Sequence, residues 1–291
     1  MFVQRFFRFV QSYRISQRAR IIIYQTFKGP VNKYCTNKSL MNVPVISLSL
    51  WGIVKKNDSN DNSMTTKKLV AKIDALYDNK EYEKIHDIST KYKDSQDVEI
   101  LWRHCRALYY MSKTASDVEG KKMIYEAYNL IMKAQSICDN HWAVHKWIAI
   151  LLDSKSSYEG MKERLKQLYT VKQHMMEAIK LNPHDATTLY MLGNWCYSVS
   201  DLAWYQRKIA SAIFGQVPTS TFEEALKYLE AAEEIDPMFY SQNLLLLAKT
   251  YLKLQRKDDA IKYLKIIGDF PARTDEDQKA KQEATKILGT I

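Results

Sequence analysis

Cys138, His141 and His145 fall within eight residues of one another, a span in which a thiolate and two imidazoles could close on a metal ion. His174 and His184 are the nearby extra donors in sequence, and neither a second cysteine nor a carboxylate pattern completes the set. The simpler reading is a small thiol at a helix end and two histidines flanking the turn into the next helix. The four cysteines, Cys35, Cys105, Cys138 and Cys196, form no CxxC pair, and an intracellular chain would keep them reduced. Two acid pairs, Glu223-Glu224 and Glu233-Glu234, have the residue types of general acid–base catalysis. They share a helix with the apolar positions Ala225, Leu226, Leu229 and Ala232, which makes them a solvated face. No P-loop, dinucleotide glycine fingerprint, nucleophile elbow or HExxH motif occurs. Catalysis, metals and cofactors are therefore not expected, and recognition chemistry remains. Trp204 carries it, with Arg207 and Lys208 beside it on the polar face of a short helix whose apolar stripe is Leu202, Tyr205, Ile209, Ala212 and Ile213. A tryptophan next to two cations is either a partner contact or a side chain packed on the neighbouring hairpin.

The elements that position these residues are helical. Six prolines and eight glycines interrupt 291 residues, and alternating strand-like runs are scarce. One spacing returns three times: Ala127, Ile131, Ala134 with Asp139 as the stop; Val171, Met175, Ala178 with Pro183; Ala225, Leu229, Ala232 with Pro237. Small residues let two helices approach closely at a crossing, and in the later two units a proline ends the second helix of the pair. Leu189, Leu192, Gly193 and Cys196 sit where the first helix of a tetratricopeptide unit has its aromatic, leucine, glycine and tyrosine; Leu244, Leu247, Ala248 and Tyr251 repeat the pattern. The expected first helices are Trp142 to Leu152, Ala186 to Ser200 and Ser241 to Leu254, preceded by stripes at Leu69–Tyr77, Tyr82–Ile88 and Val98–Leu108 and by a helix from Glu119 to Ser136. Against a repeat of about 34 residues, the unit from Ala186 to Pro237 is long, so residues 201–218 form an insert that includes the Trp204 helix. Ser220 or Thr219, with Glu223, supplies a capping box for the helix that follows. A last helix, Thr274 to Leu288, should cap the array with Ala280, Ala284, Ile287 and Leu288 inward. The fold class is all-α, a tetratricopeptide-like helical-hairpin solenoid with an inserted helix and a C-terminal capping helix.

The net charge of +10 is unevenly placed. Residues 1–57 carry ten of the 43 Lys and Arg and no acid, which leaves 33 basic against 33 acidic residues in the rest. The body is formally neutral, so nucleic acid is not an expected partner. In the head, Phe2, Phe6, Phe9, Val10 and Tyr13 recur at helical spacing opposite Gln4, Arg8, Gln11 and Arg18. An Arg-rich, acid-free amphipathic start reads as a mitochondrial transit peptide, a basic tail or a membrane-surface helix. Val43–Val54 is apolar but falls short of the roughly twenty residues that a membrane span needs. Residues 58–66 read as a polar linker and 67–291 as the helical domain.

The words Ile100-Leu-Trp-Arg103, His145-Lys-Trp147, Glu177-Ala-Ile-Lys-Leu-Asn-Pro-His-Asp-Ala-Thr187, Gly193-Asn-Trp-Cys-Tyr197, Trp204-Tyr-Gln-Arg207, Asp236-Pro-Met-Phe-Tyr-Ser241 and the run from Asn243 to Lys253 resemble the regulator of microtubule dynamics protein family. The resemblance covers residues 67–291, and Trp204-Tyr-Gln-Arg207 is its most specific part. It implies a non-enzymatic binding scaffold that associates with tubulin, microtubules and spindle poles and acts in chromosome segregation, in the cytoplasm or, through the head, at mitochondria. It also implies, as an alternative, a mitochondrial lipid-binding or membrane-contact protein holding phospholipid. Candidate partner-binding residues are Asn194, Tyr197, Lys249 and Lys253 on the first helices of two hairpins, with Trp204, Arg207 and Lys208 from the insert.

Overall fold

The computed structural model describes the backbone of residues 58–291 except 205–206, 209–210 and 212–216, with side chains from Thr66 onward apart from Met161. The readings made for the head, and those for Tyr205, Ile209, Ala212 and Ile213, lie outside the described residues. Eleven helices are present among the described residues: α1 (Asp58–Asp78), α2 (Tyr82–Thr90), α3 (Val98–Met111), α4 (Asp117–Ile137), α5 (Trp142–Glu159), α6 (Met161–Leu181), α7 (Ala186–Ser200), α8 (Phe222–Ile235), α9 (Ser241–Lys253), α10 (Lys257–Asp269) and α11 (Asp275–Leu288). They form two compact units, one within residues 29–140 that holds α1–α4 and one from His141 to Ile291 that holds α5–α11. Residues 58–66, read as a linker, are helical in α1; this stretch is polar but contains neither proline nor glycine to break a helix.

In the first unit, α1 and α2 form a hairpin on α3, around Ile73, Tyr77, Ile85 and Ala107. The Lys80 turn between them takes a left-handed φ of 61°. Asp74 of α1 reaches into α3, where Arg103 and Arg106 bond its two carboxylate oxygens at 2.8 to 2.9 Å. Ala127, Ile131 and Ala134 of α4 are fully buried where it packs on α3.

In the second unit, α5–α6, α7–α8 and α9–α10 are antiparallel hairpins, and α11 packs on the last. The small and large positions read from sequence lie in the core: Met175, Ala178, Ala225, Leu229, Ala232, Ala248 and Leu264 are at most 1% exposed. Ser241 and Asn243 of α9 are also fully buried, because Ser241 donates to Asp277 and Asn243 to the Leu229 carbonyl and Glu233. The capping helix occurs as read, with Thr274 and Asp277 in a reciprocal capping box and Ala280 and Ala284 in a cluster with Leu244, Leu264, Ile267 and Phe270.

Two boundaries differ from the sequence reading. Helix α5 runs to Glu159, not Leu152, since the polar residues after Leu152 are buried with partners: Asp153 pairs with Arg164 of α6 at 3.0 Å, and the Ser154 hydroxyl donates to the Ile150 carbonyl. Gly160, at φ 99°, ends it in a conformation that a side chain resists. The cap of α8 is Thr221, one residue past the expected position. Its hydroxyl accepts from the Glu224 amide, while Ser220 donates to the Glu224 carboxylate.

Candidate functional site

The C-terminal end of α7 is where the recognition residues meet. Tyr197 lies on its last turns and stands edge-on to Phe222, the first residue of α8, with ring centroids 5.4 Å apart. Lys253, in the last turn of α9, lies 5.7 Å over the same Phe222 ring and pairs with Asp201, just past the end of α7, at 2.6 Å. Three helices therefore converge on one aromatic ring and one ion pair. Sequence reading placed Phe222 only in a helix start and Asp201 only at the edge of the insert, and no local signal marks either as a junction.

The insert leaves this corner immediately. Trp204, Arg207, Lys208 and Ser211 are helical backbone. Arg207 turns inward: its guanidinium donates to the Val199 carbonyl at 2.8 Å and the Pro218 carbonyl at 3.1 Å. The last carbonyls of a helix lack intrahelical partners, so Arg207 both caps α7 and closes the base of the insert. Trp204 turns outward, 75% exposed, the largest exposure among the large apolar side chains described. The alternative in which it packs on the neighbouring hairpin is not what the structure has. Lys208 lies 6.0 Å from the Trp204 ring centroid, at the outer limit of a cation–π contact.

The remaining candidates are dispersed. Asn194 is 7% exposed, and its Nδ2 has no hydrogen-bond partner among the described residues. Lys249 pairs with Glu283 of α11 at 2.6 Å. The structure thus brings Tyr197, Trp204, Arg207, Lys208 and Lys253 to one end of α7, buries Asn194 in the helix and ties Lys249 to the capping helix.

Beneath this corner, Lys172 of α6 reaches Glu224 at 2.7 Å and lies 4.7 Å over the Trp195 ring. Burial alone would raise the Glu224 pKa, but the hydrogen bonds from Lys172 and Ser220 outweigh it and lower the value. Burial pushes the neighbouring Cys196 thiol up to about 11, so it is protonated at neutral pH and a poor nucleophile. The acid pairs of α8 are not simply a solvated face. Glu224 is engaged as above, and Glu233 accepts from the Met238 amide at 2.7 Å and from Asn243, while Glu223 and Glu234 stay exposed.

The metal reading of Cys138, His141 and His145 does not assemble. Cys138 is the buried C-cap residue of α4, 7% exposed. His145 Nδ1 lies 2.9 Å from His174 Nδ1. Among the described residues, no group of three or more His, Cys, Asp or Glu side chains is placed to hold a metal ion. None of the described helices is long and apolar enough to cross a membrane.

Comparison with known proteins places this geometry. A tetratricopeptide protein of Thermus thermophilus superposes on 76% of the chain and 98% of its own length, with a TM-score of 0.50 at 15% identity; at that identity the likeness concerns the fold. In sequence, the chain is 44% identical over 223 residues to regulator of microtubule dynamics protein 1 of Mus musculus, covering 76% of this chain and 73% of the mouse protein. It is 37% identical over 202 residues to protein 3 of Xenopus laevis, covering 42% of that longer protein, and 32% identical over 211 residues to protein 2 of Bos taurus, covering 51% of it. The family model for regulator of microtubule dynamics proteins 1-3 matches residues 69–291, and with that match over three quarters of its length the chain belongs to the regulator of microtubule dynamics family.

Proposed function

We propose that this protein is a non-enzymatic, tetratricopeptide-like binding module that engages microtubules through the insert at the end of α7. The role in microtubule dynamics comes from the family; association with spindle microtubules and a part in chromosome segregation are the finer reading of the same role. The observation that carries the choice of surface is Trp204, 75% exposed on a short segment whose base Arg207 fixes to two backbone carbonyls. Exposing a large aromatic ring costs solvation unless a partner covers it, and tryptophan next to a cation is the composition of interface hot spots.

The candidate cations divide by role. Lys249 and Lys253 are neutralised by Glu283 and Asp201, and Arg207 serves the backbone. Lys208 has no carboxylate partner among the described residues, and it stands by Trp204. Attachment is therefore local, an aromatic anchor with an adjacent cation, in keeping with the formally neutral body.

The test is co-sedimentation of the full chain with assembled microtubules, comparing wild type with Trp204→Ala and Lys208→Glu. Both positions are on the surface, so melting should be unchanged while the bound fraction falls several-fold in each. Wild-type sedimentation with both variants undiminished would move the contact away from the insert. A wild-type chain that never sediments would remove direct microtubule binding from the proposal.

A further inference from the structure

Two cations each hold both ends of the insert. Arg207 does so from within, through the Val199 and Pro218 carbonyls. Lys253 does so from the next hairpin. Its amino group pairs at 2.6 Å with Asp201, where the insert leaves α7, and lies 5.7 Å over the ring of Phe222, where the chain enters α8. Tyr197, on the last turns of α7, backs that ring edge-on.

Asp201 does not serve the helix that it ends. It is the C-cap of α7, and its amide donates to the Tyr197 carbonyl. The C-terminal end of a helix carries the negative pole of the macrodipole, so a carboxylate there is unfavourable. Lys253 offsets that charge, and as a cation in the last turn of α9 it suits its own helix. The pair therefore contributes to the junction between the insert and α9 rather than to α7. One turn back on the same face of α9, Lys249 holds Glu283 of α11 at 2.6 Å, since residues four apart share a helix face. The two lysines make the same kind of bond, but Lys249 is tied to the capping helix and Lys253 to the insert.

We propose that Lys253 is a positioning residue: through Asp201 and Phe222 it sets the insert, and with it Trp204, against the end of α9, and it does not itself touch the partner. The proposal rests on the reading of Trp204 as the microtubule contact. The Lys253 and Asp201 side chains are 45% and 33% exposed, and a pair this exposed shifts an equilibrium by at most about fivefold.

Sedimentation of the full chain across a series of microtubule concentrations reads the affinity. Hydrogen exchange of the Trp204–Lys208 amides in the free protein reads how firmly the insert is held. Asp201→Asn and Lys253→Met should each lower the affinity and speed the exchange by about two- to fivefold, with little change in melting. The double variant should go no further than Lys253→Met alone, as members of one pair do. Glu283→Gln, which removes the Lys249 bond, should change neither readout. Asp201→Asn binding as well as wild type or better would mean that Lys253 touches the partner directly, and would overturn the proposal. So would exchange that neither variant speeds, or Glu283→Gln acting as strongly. If wild type fails to sediment, or Trp204→Ala binds undiminished, the insert is not the microtubule contact; exchange then still decides whether Lys253 positions it.

Discussion

A Cβ atom on Gly193 would lie 2.7 Å from both Cγ and Cδ2 of Leu229 and 3.2 Å from the Ala225 carbonyl oxygen. The α7–α8 crossing is therefore closed to any side chain at this position. Gly193→Leu should destabilise the protein by roughly 1 to 3 kcal/mol through overpacking, read as a lower urea midpoint at unchanged slope. Adding Leu229→Ala should return part of that loss, because the two changes compete for the same space; strictly additive losses would place the strain elsewhere.

His104 of α3 is 1% exposed, with its Nε2 3.0 Å from His86 Nδ1 of α2. Burial, aided by the His86 charge, pushes its pKa down from 6.5 to about 4. The unfolded chain takes up this proton near pH 6.5 and the folded chain only near 4, so stability is full above pH 6.5 and falls as pH drops through that window. The loss should approach about 3 kcal/mol at the acid end. His104→Gln should flatten the slope of unfolding free energy between pH 6.5 and 4, whatever it does to stability at neutral pH.

Asp74 holds two arginines, one of them, Arg106, only 9% exposed. Burial by itself would raise the Asp74 pKa, and the hydrogen bonds and charges of Arg103 and Arg106 outweigh it, leaving the value below 3.8. The stability it contributes is present above the unfolded value and is lost as pH falls below it. Asp74→Ala should cost about 3 to 5 kcal/mol at pH 7, the penalty for stranding a buried cation. Thermal melting of this variant within a degree or two of wild type would show that water reaches Arg106.

The capping helix covers Leu244, Leu264, Ile267 and Phe270. Ending the chain at Phe270 should expose that cluster, lower the melting temperature and reduce solubility. A milder probe is Thr274→Ala, which removes the hydroxyl that accepts from the Asp277 amide and should cost about 1 kcal/mol. A shortened chain that melts like the intact one would mean α10 closes the unit unaided.

Imaging in dividing cells separates the head from the helical units. The full chain and a chain beginning at Asp58, the first residue of α1, are compared side by side. Mitochondrial signal for the first and spindle signal for the second would make the head an address and the helices the microtubule-directed part; absence of both from microtubules would count against the proposed function.

Much of the architecture was legible because crossings impose residue size. Ala127, Ile131 and Ala134, like Ala225, Leu229 and Ala232, could be placed by spacing alone, and each is fully buried. What could not be read were contacts that depend on a distant partner. The polar residues after Leu152 look like a helix end until Arg164, eleven residues beyond Asp153, is seen to neutralise them. Lys253 and Arg207 look alike in sequence as solvent-facing cations, yet one closes an ion pair and the other caps a helix. Asn194 has the helix position of a contact residue and is buried instead. Trp204 stood between two readings because sequence shows which face of its helix is polar, not whether another element covers that face.

The Arg207 clamp has a last consequence for how this protein tolerates change. By bonding the carbonyls of Val199 and Pro218, it fixes the two ends of the inserted stretch independently of what lies between them. Closing a loop costs free energy that grows only with the logarithm of its length, so residues between Arg207 and Pro218 can be lengthened or replaced with little strain on α7 and α8. The insert is thereby a graftable port, a place where new binding sequence can be exchanged while the helical frame stays as it is.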